Sequence, residues 1–280
     1  MEVEHAVVSV EVGLGEVSDN LLTLKGGVNL HYFTTMPGEV GKSGKDSNIT
    51  PSEMSRKSLW DAALYAEANY KFLPRFLLNA GVRLSVLHAP ASTYYAAKTF
   101  VMPEPRAELS FIPNASHRFS ASYTQAAQSI HMLTTSSVGI PLGHVDACQC
   151  TVEALRHAPT GIGDMNTISP DKEYTLSLEA YMRRTNHVVD YRKNADIFQN
   201  DRIEDEVETG SARGCGLEFY LSKNKGAVTG WISYTLSRAR NRIGGEEYRP
   251  VYDRPHNLKL FVNWEMNRHW SLSSTFSYAS

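Results

Sequence analysis

Residues 172–184 read KEYTLSLEAYMRR. Tyr174, Leu176, Leu178, Ala180 and Met182 occupy alternate positions, and Thr175, Ser177, Glu179, Tyr181 and Arg183 the positions between them. Successive side chains of a strand point to opposite faces, so this segment is a strand with one apolar and one polar face. Near the end of the chain, PHNLKLFVNWEM repeats the scheme. Leu258, Leu260, Val262, Trp264 and Met266 alternate there with Asn257, Lys259, Phe261, Asn263 and Glu265. The segments around Ala80–Val86, Phe119–Tyr123, Leu217–Leu221 and Ile232–Leu236 follow it too. The period is 2 almost throughout, which predicts an all-β chain.

The connections carry a second regularity. Short turns are predicted near Gly15–Asp19, Leu73–Arg75, Pro113–Ser116, Lys223–Gly226 and Asn267–Arg268. Long loops rich in polar residues, Gly or Pro are predicted near Met36–Lys57, Ala89–Met102, Leu133–Cys150, Lys193–Glu206 and Asn241–Pro250. Short and long connections alternate, so an up-and-down antiparallel sheet carries all its tight turns at one end. The predicted strands run to roughly 10–15 residues, against about 5–6 in soluble proteins, and suit a tilted bilayer crossing. Aromatic residues gather near strand ends: Trp60, Tyr70 and Phe72, Tyr123, Tyr174 and Tyr191, then Trp264, Trp270 and Tyr278. Rings with an apolar body and a polar edge suit the water–lipid boundary. About twelve strands result. One of them, near residues 151–165, is demanded by parity although it carries Pro159, Gly161 and Gly163 and alternates poorly.

Composition narrows the function. At 280 residues the chain is large enough for a big single domain, and its net charge of -2 shows no basic stripe for nucleic acid. Three cysteines exclude a disulfide-rich scaffold. No run of about 18 uncharged apolar residues marks a transmembrane helix, a test that a barrel evades. The opening MEVEHAVVSVEVG lacks a basic n-region, so no secretory signal is expected in this chain.

Several segments then resemble one family. SLWDAALYAEANYKF, AGVRLS, EPRAELSF, SASYTQAAQSIHMLTTSSVGIPL, SLEAYMRRTNHVVDYRK and GLEFYLSKNKGAVTGWISYTLSRARN stand in the order expected of a TonB-dependent outer-membrane receptor of the Bacteroidetes type. The most specific segment is YRPVYDRPHNLKLFVNWEMNRHWSLSSTFSYAS, with Tyr252-Asp253-Arg254 and His256-Asn257-Leu258 ahead of an alternating strand. The resemblance covers most of residues 50–280. It implies a partial transmembrane barrel of about twelve strands out of 22, spanning residues 1–280 without a plug domain. It also implies an outer-membrane location, contact with lipid, TonB coupling only through a missing plug, a nutrient ligand of unknown identity, and no activity as an isolated piece. A soluble or surface-attached β-rich binding module and a passive porin-like barrel are the alternatives. Folding as a monomer in plain buffer would favour the first of these.

HVDACQC at residues 144–150 places His144, Asp146, Cys148 and Cys150 at alternate positions, with His157 following. These are zinc-ligand types, but the spacing is no known zinc pattern, and no metal site is expected. Matching segments flank the stretch on both sides, as a local frame error would leave them. His144–Thr151 can be encoded so that the shifted frame reads Thr-Trp-Met-Pro-Val-Asn-Val-Pro, and the nucleotide sequence decides the matter. Cys215 falls in a strand as a small buried or lipid-facing residue. The acidic run DRIEDEVE (201–208) is expected as a solvated loop, lacking EF-hand spacing. Gly13 and Gly15 lack the third glycine of a dinucleotide loop. His131 and His256 are expected to be structural. No catalytic set, no cofactor site and no enzyme are expected.

Overall fold

The computed structural model describes residues 4–19, 21–36, 39–40, 52–53, 57–128, 130–134, 143–147, 155–168, 173–193, 195, 202–250 and 252–280. Twelve principal strands follow one another: β1 (Glu4–Ser18), β2 (Leu22–Met36), β3 (Lys57–Leu73), β4 (Phe76–Ala89), β5 (Lys98–Asn114) and β6 (His117–Thr124), then β7 (Leu155–Ile168), β8 (Tyr174–Tyr191), β9 (Val207–Lys223), β10 (Val228–Ile243), β11 (His256–Glu265) and β12 (Ser271–Ala279). Each pairs antiparallel with the next, so sheet order equals chain order. Among the described residues, β1 pairs only with β2 and β12 only with β11. The predicted strand count and the alternation of tight turns with long loops are both present.

The register carries the faces from strand to strand. Leu78, Leu109 and Ala121 lie side by side across β4, β5 and β6. Leu178, Phe219, Tyr234 and Leu258 do so across β8 to β11. On this face Val82, Leu109, Leu178 and Leu217 are exposed, Leu217 to 58%. The buried hydrophobics among the described residues are only Leu59, Ala63, Leu87, Ala89, Met102 and Ile243. A sandwich would bury the apolar sides of two facing sheets against each other. Here one continuous sheet leaves its apolar face open, which excludes the sandwich.

The aromatic residues mark two levels. Phe72, Phe76, Phe111 and Phe119 run as a row near the tight turns, with centroids 4.7–6.4 Å apart. At the loop end Tyr32 packs on Trp60 at 4.6 Å. Trp60 and Tyr70 bound the apolar face of β3, ten residues apart. That is about 33 Å of strand, or about 25 Å of height at the usual barrel tilt, matching the apolar band of a transmembrane barrel.

Several sequence boundaries are corrected. β1 runs on to Ser18 and β2 begins at Leu22, because the strand continues through Gly15 after a register shift at Gly13/Gly15. The loop after Ala89 ends at Lys98 rather than near Met102, and Asn241 remains in β10, which folds back on Glu246–Tyr248. β7 occupies 155–168 rather than 151–165 and absorbs its glycines in a shift between Gly161 and Asp164. Pro159 is tolerated because its neighbour on the β6 side is a gap. His157 pairs with Ala126 and Thr160 with Tyr123, while Pro159 faces only Arg183 on β8. The proline thus coincides with an interruption of the ladder on that side.

Candidate functional site: the polar face and its mouth

The second face of each strand carries the charged residues, and they form lateral pairs. Arg106 on β5 reaches across β4 to Glu67 on β3 at 2.6 Å. Gly81 pairs with both residues in the ladder. A Cβ there would sit 3.0 Å from Arg106 Nε and 3.1 Å from the Ala66 carbonyl, so only glycine leaves this crossing unobstructed. Arg83 donates to Ser85 at 3.1 Å, and Ser85 donates to Glu104 at 2.5 Å. Arg118 donates to Glu108 at 2.6 Å and to Ser110 at 3.0 Å. Glu67, Asn79, Arg106, Glu108, Ser122 and Thr124 line a shallow polar recess of about 320 Å³. The Asn79 Oδ1 is enclosed there without a hydrogen-bond partner.

Two tyrosines brace the same face by lying over glycines. Tyr65 opposes Gly27, and Tyr181 opposes Gly216. A Cβ on Gly216 would lie 2.7 Å from the Tyr181 ring. Covering a strand glycine with an aromatic ring restores the contact its missing side chain lacks.

At the loop end the face turns apolar and closes. Leu59, Leu87, Ala89 and Met102 form a buried cluster, with Phe33, Phe100 and Ala127 packed on it. The 3-10 turn Ile203–Glu206, between β8 and β9, lies across this mouth. Glu204 is 3% exposed and bonds the Lys57 ammonium, 147 residues away in sequence, itself 6% exposed. Arg192 forks onto Glu206, with Nε 2.7 Å from Oε2, and Arg202 meets Asp205 at 2.5 Å. Burial, then the Glu204 and Asp205 charges, hold the Tyr95 phenol well above its ordinary range. Tyr248 donates to Asp190 at 2.7 Å, and burial with that bond pushes it up to about 12. The expectation of a solvated acidic loop is therefore corrected: two of its carboxylates are buried and paired. Local composition could not show this, because Lys57 and Arg192 supply the counter-charges.

Tyr252-Asp253-Arg254 also acquires a reason. After Glu246–Tyr248 the chain turns back along β10, and the Asp253 carboxylate accepts the Ala239 N–H at 2.9 Å and Arg249 Nε at 3.0 Å. Ser237 donates its N–H to the Pro255 carbonyl at 2.9 Å. Asp253 thus caps β10 on its β11 side, where the β10–β11 ladder ends at Leu236–His256, while β9 stays paired along the other side. His256 Nδ1 shares a hydrogen bond with the Tyr234 hydroxyl at 2.8 Å.

Of the HVDACQC residues, His144 and Asp146 lie in a short strand, 143–147, paired with 130–134, where His131 faces Asp146 in register. Their side chains, and Cys148 and Cys150 entirely, lie outside the described residues. His157 lies in β7, opposite Thr185. Among the described residues no group of three or more His, Cys, Asp or Glu side chains could hold a metal ion. Cys215 is exposed on the apolar face, the lipid-facing option of the sequence reading.

No protein-family model and no curated protein matches the sequence. Solved structures do match in shape. The ferric-catecholate import receptor Fiu of Escherichia coli K12 aligns with 99% of this chain and 44% of its own, at TM-score 0.71 and 15% identity. The FrpB iron transporter of Neisseria meningitidis aligns with 99% of this chain and 43% of its own, at 0.70 and 12%. The ferripyoverdine receptor of the Pseudomonas aeruginosa outer membrane aligns with 98% and 41%, at 0.65 and 12%. The fold of this chain is that of the matching strands in the barrels of these structures. The chain spans less than half the length of these structures.

Proposed function

We propose that this chain forms part of the barrel wall of a TonB-dependent outer-membrane receptor of the Bacteroidetes type, a transport component rather than an enzyme. The observation that carries the reading is the twelve-strand meander with an exposed apolar face, whose shape follows receptor barrels over nearly the whole chain. The apolar face meets lipid, the long loops face outward and the tight turns the periplasm. The polar face, with its paired charges and recess, lines the lumen that a nutrient and a plug would share. The outer edges of β1 and β12 expose backbone groups that lipid does not satisfy. In a working barrel these two edges would be paired with further strands.

Detergent dependence tests the reading. The purified chain should aggregate in plain buffer and become soluble and β-rich in nonionic micelles, measured by light scattering and circular dichroism. A folded monomer without detergent would reject it.

A further inference from the structure

The apolar face carries an unexpected group of charges at its loop end, beside β8–β10. The register sets Arg184, Arg213 and Arg240 in one lateral row across these strands. One step nearer the tight turns, Met182, Cys215 and Arg238 form the next row. Alternation puts all six side chains on the same face as Leu178, Leu217 and Leu236, and Arg184, Arg213 and Arg238 are exposed. Among the described residues, Arg240 has a carboxylate, Glu247 at 4.0 Å. Among the described residues no carboxylate forms an ion pair with Arg184, Arg213 or Arg238. Directly below, two adjoining shallow grooves of about 650 and 610 Å³ run over Ala180, Cys215, Leu217 and Leu236. The smaller groove is almost wholly apolar.

From this juxtaposition we infer that β8–β10 form a site for one phosphate-bearing lipid of the outer leaflet, its headgroup on the arginine row and an acyl chain in the groove. The height fits. Arg238 lies ten residues along β10 from Val228, which pairs with the girdle residue Trp264. At the usual tilt that is about 25 Å, where the apolar band ends and headgroups begin. Guanidinium groups bind phosphate oxygens bidentately and are weakly hydrated, which favours arginine over lysine at such a place. Ala180 and Cys215 are small residues between Leu178, Met182 and Leu217, and this size step makes the depression. The inference rests on the lipid-facing reading of the apolar face.

The test titrates the full 280-residue chain in nonionic micelles with diphosphoryl lipid A, phosphatidylcholine or inorganic pyrophosphate, and reads retained ligand by native mass spectrometry. One lipid A should be retained and phosphatidylcholine should not. A charged surface attracts each basic residue by about five-fold, so R184Q/R213Q/R238Q should weaken lipid A binding on the order of 100-fold. R184K/R213K/R238K should lose far less, and A180W, which fills the groove, should weaken lipid A but not pyrophosphate. Equal retention of phosphatidylcholine by the unaltered chain overturns the inference. So does wild-type affinity in the glutamine variant, or pyrophosphate binding as tightly as lipid A. A chain that needs detergent yet holds no lipid A defeats this inference alone, whereas a folded monomer in plain buffer defeats the membrane reading as well.

Discussion

Lys57 and Glu204 offer the sharpest test of the closed mouth. Both are nearly dry, and a buried ion pair contributes little net stability while its partners remain together. Removing one partner is different, because the other charge stays buried without this counter-charge, at a cost of up to about 3–5 kcal/mol. Lys57→Met should therefore expel Glu204. The turn 203–206 belongs to a loop that can lift into water, so the observed loss is capped at the free energy holding it down. Arg192 still clamps Glu206, so the base of the loop should stay held at both ends while Glu204 lifts. Hydrogen exchange by mass spectrometry in micelles reads this directly. Peptides spanning 192–206 should lose roughly 100-fold or more in protection, about 3 kcal/mol, while 174–190 stays unchanged. Glu204→Gln should act in the same direction through the buried ammonium. K57M/E204Q, which removes both charges, should recover most of the protection, with a coupling of about 2 kcal/mol or more. Single variants within three-fold of wild type, or a double variant showing the plain sum, would refute a closing pair at this position.

Leu178→Arg, near the middle of the apolar band, should cost about 2–4 kcal/mol in vesicles, measured by urea unfolding. Ser177→Arg, one residue away on the polar face, should cost far less. Gly216→Val should lower thermal stability by about 1–3 kcal/mol because its Cβ enters the Tyr181 ring, and Y181A in the same chain should relieve the clash. Tyr95 and Tyr248 should ionise last in an absorbance titration. Their folded pKa values are raised, so the stability they contribute is full below about pH 10. It is lost as pH rises through the folded value, about 12 for Tyr248, and Y95F or Y248F should remove the late component.

How much was legible in the sequence depended on the range of the interaction concerned. Alternation in KEYTLSLEAYMRR and PHNLKLFVNWEM is a property of neighbouring residues, so the two faces of β8 and β11 could be read directly. Turn and loop lengths are equally local, and they disclosed the meander and which ends lie together. Pro159 misled because the proline rule concerns a ladder partner, and the missing partner became visible only once β6 and residues 126–128 were placed beside β7. DRIEDEVE misled because an acidic run looks solvated until Lys57, 147 residues earlier, is brought against it.

The arginines show the division most clearly. Each of Arg184, Arg213, Arg238 and Arg240 is, in sequence, one charged residue near a strand end. Fold class and strand faces follow from the sequence alone, because they depend on period and connection length. The arginine row, the Gly81 crossing and the closed mouth depend on strand register and on loops that return across the sheet. Only the tertiary structure decides those, since one residue of slip would turn every one of these side chains to the opposite face.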